Sequence, residues 1–402
     1  MNRLKDVVER TVSSRAAGLA RMAVGLAAAV KAVELAPVLT RFAEPGPLRI
    51  PYAEGLPTVA DLPAAAVTLV WLLAALAFAA GATTAVTGTV LVVVLAAVLA
   101  SDQQLYSNHL YLLTLLVALL TLARAGAALS VDARRGGGRD RIADWPLQLV
   151  RAQVSIVYLF AALAKVTGVY LSGSVVAVTL RRDGPLAIPA EWRVFELMAA
   201  AAMLAILVEL WLSIALWRPR WRPAAFATGF LMHVGIAVWF APTIQLVIFS
   251  LIILAPYVLF LDAQPASRVA VWDDSCGFCR GTIGWARRLD WLHAIRFVPG
   301  SDTAAVRALG ISQEEADRAL QLRFGGVNVS GFRAVSAMLE VLPVSFLWAP
   351  LLRLPPVRAV GDAAYRRVAQ RRMCSVMAGL QPALAAAANV ADRGVASEPP
   401  TG

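Results

Sequence analysis

Between residues 17 and 262 the chain holds eight long apolar runs, and these constrain it more than any other feature. Each is near the length needed to cross ~30 Å of hydrocarbon. They fall at about 17–38, 63–81, 84–100, 106–124, 146–166, 194–217, 224–240 and 243–262. Runs of that length bury their backbone polar groups only as helices, since lipid offers no hydrogen bonds. A polytopic helical membrane bundle of about eight spans is therefore expected. Composition agrees: 59% of the 402 residues are apolar and 16% charged, against about half and a quarter in a soluble domain. Residues 1–15 are polar and no cleavage site follows, so the first run is expected to remain as a membrane helix.

The net charge of +11 would suggest nucleic acid in a soluble protein. Here the arginines flank apolar runs, which points to topology signals and contacts with anionic lipid, with no nucleic-acid partner. Arg3, Lys5, Arg10 and Arg15 precede the first run; Arg134, Arg135, Arg139 and Arg141 follow the fourth; Arg218, Arg220 and Arg222 follow the sixth. With an even number of spans between them, all three groups share one side, so both termini are expected in the cytoplasm. Arg41, Arg49, Arg181 and Arg182 fall in the opposite loops.

The character changes near residue 267. Arg268–Trp272 reads as a strand, Cys276–Leu292 as a helix and Ile295–Val298 as a second strand. Ile311–Arg318 is helical, and Leu320–Phe324 and Val327–Ser330 flank Gly325-Gly326, a hairpin signature. Helices follow at 332–342 and 356–372. The expected organisation is a membrane domain over 1–265, a small α/β domain over 266–387 and a disordered tail over 388–402.

The α/β domain opens with Cys276-Gly277-Phe278-Cys279, preceded by Trp272-Asp273-Asp274-Ser275. A strand leads in and a helix leads out. Cys276 is thus placed at a helix N-terminus, where unpaired N–H groups stabilise a thiolate, and Cys279 one turn on, where it can resolve a mixed disulfide. Cys276 is expected to be the more exposed and more acidic of the two. One C-x-x-C is also half a zinc site, but His293 and Cys374, the remaining candidates, have no zinc spacing; no metal is expected. Two inert thiols are the bland alternative.

This segment resembles the DCC-type thiol-disulfide oxidoreductases over roughly residues 268–375. The likeness rests on the C-x-x-C turn, Gly331-Phe332-Arg333-Ala334, the Trp348–Pro355 segment and Tyr365-Arg366-Arg367-Val368-Ala369. It implies a thioredoxin-like fold, a redox-active disulfide and a thiol or disulfide partner. Asp274 stands where that family usually has glycine, a departure that matters if the turn requires positive φ.

Ionisable residues within the apolar runs are His109, Arg151, Lys165, Glu196, Glu209 and His233, each a functional candidate because such groups are costly in lipid. Arg151, Tyr158 and Lys165 recur every seven residues and share one helix face. The alternative is structural: Arg151 and Lys165 snorkelling to the interface, and the histidines bonding between helices.

Asn108-His109-Leu110-Tyr111-Leu112 is similar to a motif of vitamin K-dependent γ-glutamyl carboxylases and their bacterial relatives, the horizontally transferred transmembrane (HTTM) family. Trp145, Leu149–Gln153 and Ile156–Lys165 match a second motif; Gly173, Glu209 and His233–Ile236 match further positions. The resemblance covers roughly residues 15–262. It implies Lys165 as a base acting on a quinone-like, vitamin K-like cofactor, with Asn108 and His109 near it; Arg151 and Tyr158, on the face of Lys165, and His233 complete the expected cofactor-binding set. The large extramembrane domain of the carboxylase is missing, and the residues after Lys165 differ.

The expected function is a membrane-bound thiol-disulfide oxidoreductase using Cys276 and Cys279, its membrane domain binding a quinone-like molecule. Two alternatives stand beside it. One is a carboxylase-like enzyme whose dithiol regenerates reduced cofactor, and the other is a non-catalytic anchor for the oxidoreductase. Lys165, His109 and His233 are expected to line one internal cavity.

Overall fold

The computed structural model describes residues 5–370 apart from 6–7, 45, 47–48, 53–57, 181–188, 193, 241–242 and 262–263. Arg3, Arg181, Arg182, Cys374 and the 388–402 tail lie outside the described residues, as do the last two residues of the 356–372 helix. The chain divides into two compact units, Met1–Asp262 and Ala263–Gly402.

The first unit is helical. Its main helices are α1 (Ser14–Ala43), α2 (Ala64–Ala80), α3 (Thr84–Ser101), α4 (Asn108–Leu122) and α5 (Trp145–Ala164). Two short helices follow, α6 (Gly168–Leu171) and α7 (Ser174–Thr179), then α8 (Phe195–Ala215), α9 (Arg222–Trp239) and α10 (Thr243–Leu254). Every expected apolar run thus contains a helix. Four of them, α1, α3, α5 and α8, are long and apolar enough to cross a membrane by length and composition. Helices α2 and α4 are shorter, and α10 gains length only through a 3₁₀ continuation, Ala255–Phe260, entered at Pro256.

Small residues let α1 lie close against α2, with Ala28, Ala32, Ala75 and Ala79 all buried, the usual device where helices pack in lipid. Arg21, fully buried on α1, donates to the carbonyls of Phe78 (2.9 Å) and Leu129 (2.7 Å). It thereby satisfies an acceptor at the end of α2 that lipid could not. Asp132 caps α3 through the N–H groups of Thr83 and Thr84 (2.7 and 2.8 Å). Strands β1 (Thr11–Ser13) and β2 (Arg141–Ala143) pair antiparallel, joining the N-terminal segment to the loop after α4.

The second unit is α/β. Strand β3 (Arg268–Trp272) leads to α11 (Gly277–Leu289), β4 (Ile295–Pro299), α12 (Thr303–Ala308) and α13 (Gln313–Arg318). The hairpin β5 (Gln321–Phe324) and β6 (Val327–Ser330), α14 (Phe332–Leu339) and a helix over 355–370 complete it. The sheet order is β4-β3-β5-β6, with β3 parallel to β4 and the other pairs antiparallel. Gly325 and Gly326 both have positive φ, as a two-residue hairpin requires. Helix α12 is an element the sequence did not announce. Val271, Val298, Val306, Ile311 and Ala316 form a buried cluster between sheet and helices, so the central strand β3 is anchored where it ends at the C-x-x-C turn.

Candidate functional site

Cys276 is the N-cap of α11, in extended backbone conformation, and the Cys279 N–H donates to its sulfur at 3.4 Å. That contact aims the helix N-terminus at the sulfur. Both cysteines are free thiols, and they lie close together. Exposure runs opposite to expectation: Cys276 is buried, 8% exposed, whereas Cys279 is half-buried. Cys279 lines a cavity walled both by its own turn and helix and by segments far along the chain.

Asp274 does not have positive φ, so the turn does not need the family's glycine. Its carboxylate instead accepts from Ser301 N–H (3.0 Å) and Ser301 Oγ (2.7 Å). These bonds tie the turn to the loop after β4 and hold the Asp274 carboxyl below its ordinary range. Asp273 accepts from the backbone N–H and hydroxyl of Ser275. Its carboxylate and both sulfurs lie within 4.8 Å of one another, a juxtaposition the sequence reading passed over. Among the described residues this trio is the group that could hold a metal, and it does not include His293.

Beside Cys279 lies a cavity of about 270 Å³, walled by Trp272, Phe278, Ile283, Phe332, Val335 and Tyr365 among others, with Asp273 and Cys279 on its lining.

In the membrane unit the seven-residue stripe on α5 meets three different partners. Arg151 Nε donates to the Leu259 carbonyl (2.8 Å), and Arg151 also pairs with buried Asp144 (3.2 Å). Tyr158, 2% exposed, shares hydrogen bonds with His233 Nε2 (2.9 Å) and Tyr257 Oη (2.7 Å). Gly229 makes room for this group: a Cβ there would lie 2.4 Å from Tyr257 Oη. His233 also contacts Ser250 Oγ at 3.3 Å and meets Phe249 edge-on.

Lys165 Nζ bonds both Glu209 oxygens at 2.8 Å and the Ala161 carbonyl at 3.1 Å. Lys165 ends α5, yet this is not the end of the packed structure. Helices α6 and α7 continue beyond it against the start of α8, where Gly173 (φ +78) would place a Cβ 2.4 Å from Ala199 N. Glu209 comes 14 residues after Phe195 on α8, roughly 21 Å along the helix. The ion pair therefore sits at a helix break beside the body of α8.

His109 stacks on Phe249 at 4.5 Å between ring centroids. The structure thus links His109 to His233 through one ring, and His233 directly to Tyr158. Lys165 bonds neither histidine; its partner is Glu209. Asn108 is exposed at the start of α4 and accepts from Tyr106 Oη (3.2 Å). Glu196 is exposed in the first turn of α8.

The sequence reading also missed Lys31 and Glu34 on α1. They form a largely buried pair at 2.6 Å, within electrostatic reach of His109. Their i,i+3 spacing inside the first apolar run was a readable signal.

Comparison with protein families matches the two units separately. The model for the HTTM domain covers residues 9–264, more than half of the chain, and the model for a DCC1-like thiol-disulfide oxidoreductase covers residues 270–376. No curated protein and no solved structure matches the chain. Together with four apolar helices of spanning length, these matches mark an integral membrane protein that carries a thiol-disulfide oxidoreductase domain. The chain belongs to the HTTM domain family and carries a DCC1-like thiol-disulfide oxidoreductase domain behind it.

Proposed function

We propose that this protein is a membrane-bound thiol-disulfide oxidoreductase whose reacting groups are Cys276 and Cys279. The observation that carries the reading is the contact of the Cys279 N–H with Cys276 Sγ at the start of α11. In the reaction one thiolate attacks a partner disulfide and forms a mixed disulfide. The other thiolate then attacks the protein sulfur of that bond, closing Cys276–Cys279 and releasing the reduced partner. The strand order β4-β3-β5-β6, with its βαβ and ββα halves, supports a thioredoxin-like domain over 266–387. In the test, Cys276→Ser and Cys279→Ser are each offered a disulfide substrate. One variant should accumulate a mixed disulfide and neither should turn over. Turnover by either single variant defeats the reading.

For the membrane domain, taken as 1–265 with eight spans, we propose binding of a quinone-like lipid-soluble molecule, which supplies two-electron, two-proton chemistry when bound. The groups that would meet its ring oxygens are the buried Tyr158 hydroxyl and His233 imidazole, which would have to exchange their mutual hydrogen bond for the ligand, with His109 stacked on the neighbouring Phe249. Asn108 and Arg151 belong to the proposed set on resemblance; Arg151 here is tied to Asp144 and the Leu259 carbonyl. A role for Lys165 as a base requires its pair with Glu209 to open, so the carboxylase-like alternative ranks below thiol chemistry.

Cytoplasmic termini remain our proposed orientation. The β1–β2 pairing supports it by joining the basic N-terminal segment to the arginine-rich loop after α4, as an even number of intervening spans requires. A reporter active only outside the cytoplasm, fused after residue 390, should stay silent.

A further inference from the structure

We propose that the apolar cavity beside Cys279 is a binding site for the ring of a quinone-class electron carrier, so that dithiol and quinone exchange electrons within the second unit itself. The inference rests on the dithiol reading and adds a substrate class and a place for it.

Three features of the cavity favour a small apolar ring over a peptide. Its walls are aromatic and aliphatic, from Trp272, Phe278, Phe332 and Tyr365 to Ile283 and Val335, with Cys279 and Asp273 as its reactive and polar edge. At about 270 Å³ it falls just below the ~300–1,000 Å³ of a drug-sized site, which suits a head group of one or two rings. Leu320, another wall residue, offers a peptide backbone nothing to bind. Its N–H is taken by Tyr365 Oη at 2.9 Å and its carbonyl by Gly331 N–H at 2.9 Å.

A fourth feature points to an acceptor atom on the ligand. Trp272 is nine-tenths buried, and among the described residues its Nε1–H has no hydrogen-bond partner. A buried donor left unpaired is costly, and a ring oxygen is the kind of acceptor that would relieve it after a small shift of the indole.

The electron count closes. Two thiol S–H bonds break and one S–S bond forms between Cys276 and Cys279. The two electrons and two protons released reduce the quinone's two carbonyl oxygens to hydroxyls. Asp273, within 4.8 Å of both sulfurs, is the carboxylate placed to carry a proton between sulfur and ring. The reverse direction, hydroquinone reducing the disulfide, uses the same groups.

The test uses the full chain in nanodiscs, reduced and kept anaerobic, with duroquinone as probe because its fully substituted ring cannot form a thiol adduct. Exchange with oxidised lipoamide is measured alongside. Ala364 lines the cavity but is exposed, so Ala364→Trp obstructs the site without burdening the core. The wild type should reduce duroquinone with saturation. Ala364→Trp should raise the half-saturating concentration at least tenfold while changing lipoamide exchange less than twofold. Non-saturating reduction by the wild type, or an equal effect of Ala364→Trp on both reactions, overturns the quinone site and leaves the dithiol reading standing. Failure of the wild type to exchange with lipoamide defeats the dithiol reading on which the site rests.

Discussion

Lys165 Nζ lies 2.8 Å from each carboxylate oxygen of Glu209, across the interface between α5 and α8. Ten residues earlier on α5, Ser155 accepts from Trp217 Nε1 (2.7 Å), just past the end of α8, so the two helices run antiparallel. Side-chain exposures of 27% and 10% leave the pair largely withdrawn from its surroundings. Removing one partner should strand the other charge at a cost of about 3–5 kcal/mol. Glu209→Ala should accordingly lower thermal stability in detergent strongly, and Lys165→Met with Glu209→Leu should recover most of the loss. Additive losses in the double variant would show that the pair is not the source.

Tyr158 offers a subtler test. Phenylalanine keeps the ring but leaves His233 Nε2 and Tyr257 Oη without their shared partner. Tyr158→Phe should cost about 1–3 kcal/mol, read as a lower melting temperature, with helix content unchanged at low temperature. No shift would mean that the hydroxyl bonds are not formed.

Gly173 has φ +78 and almost no room for a side chain. Gly173→Ala combines a left-handed strain of about 1 kcal/mol with a backbone clash on α8. It should loosen α6 and α7 from α8, detected as faster proteolysis between residues 166 and 180. Unchanged protection would place the constraint elsewhere.

Much of this architecture was legible in sequence, and the misses have a common origin. The apolar runs, the strand into the C-x-x-C turn and the Gly-Gly hairpin follow from local periodicity and turn chemistry. The face shared by Arg151, Tyr158 and Lys165 was also readable. Two of their partners were not: His233 and Glu209 reach Tyr158 and Lys165 from 75 and 44 residues away, whereas Asp144, seven residues before Arg151 in the same register, was readable and passed over. Nor was the cavity beside Cys279 readable, because Phe332 and Tyr365 reach it from far along the chain. The break after Lys165 looked like a span end because the short α6 and α7 carry too little apolar length to register.

Asp274 supplies a pH test. Its carboxyl is held below the ordinary range by Ser301. The stabilisation is therefore fully present above the unfolded-state value of ~3.9 and is lost as pH falls through the folded-state value. Between pH 5 and 2.5 the wild type should lose more stability in its second unit than Asp274→Asn does. Parallel pH profiles would contradict the Ser301 contact.

Alkylation reads the exposure of the two thiols. A bulky maleimide at neutral pH should label Cys279 first, because Cys276 is buried. Labelling of Cys276 first would contradict that burial.

The central claim is tested most directly by a redox titration of the purified full chain, with free thiols counted by mass spectrometry after alkylation. The account predicts one two-electron transition in which Cys276 and Cys279 lose their labels together and appear as a single intramolecular disulfide. If both remain alkylatable through the most oxidising buffers, or oxidise separately without joining, the protein is not a thiol-disulfide oxidoreductase through this motif.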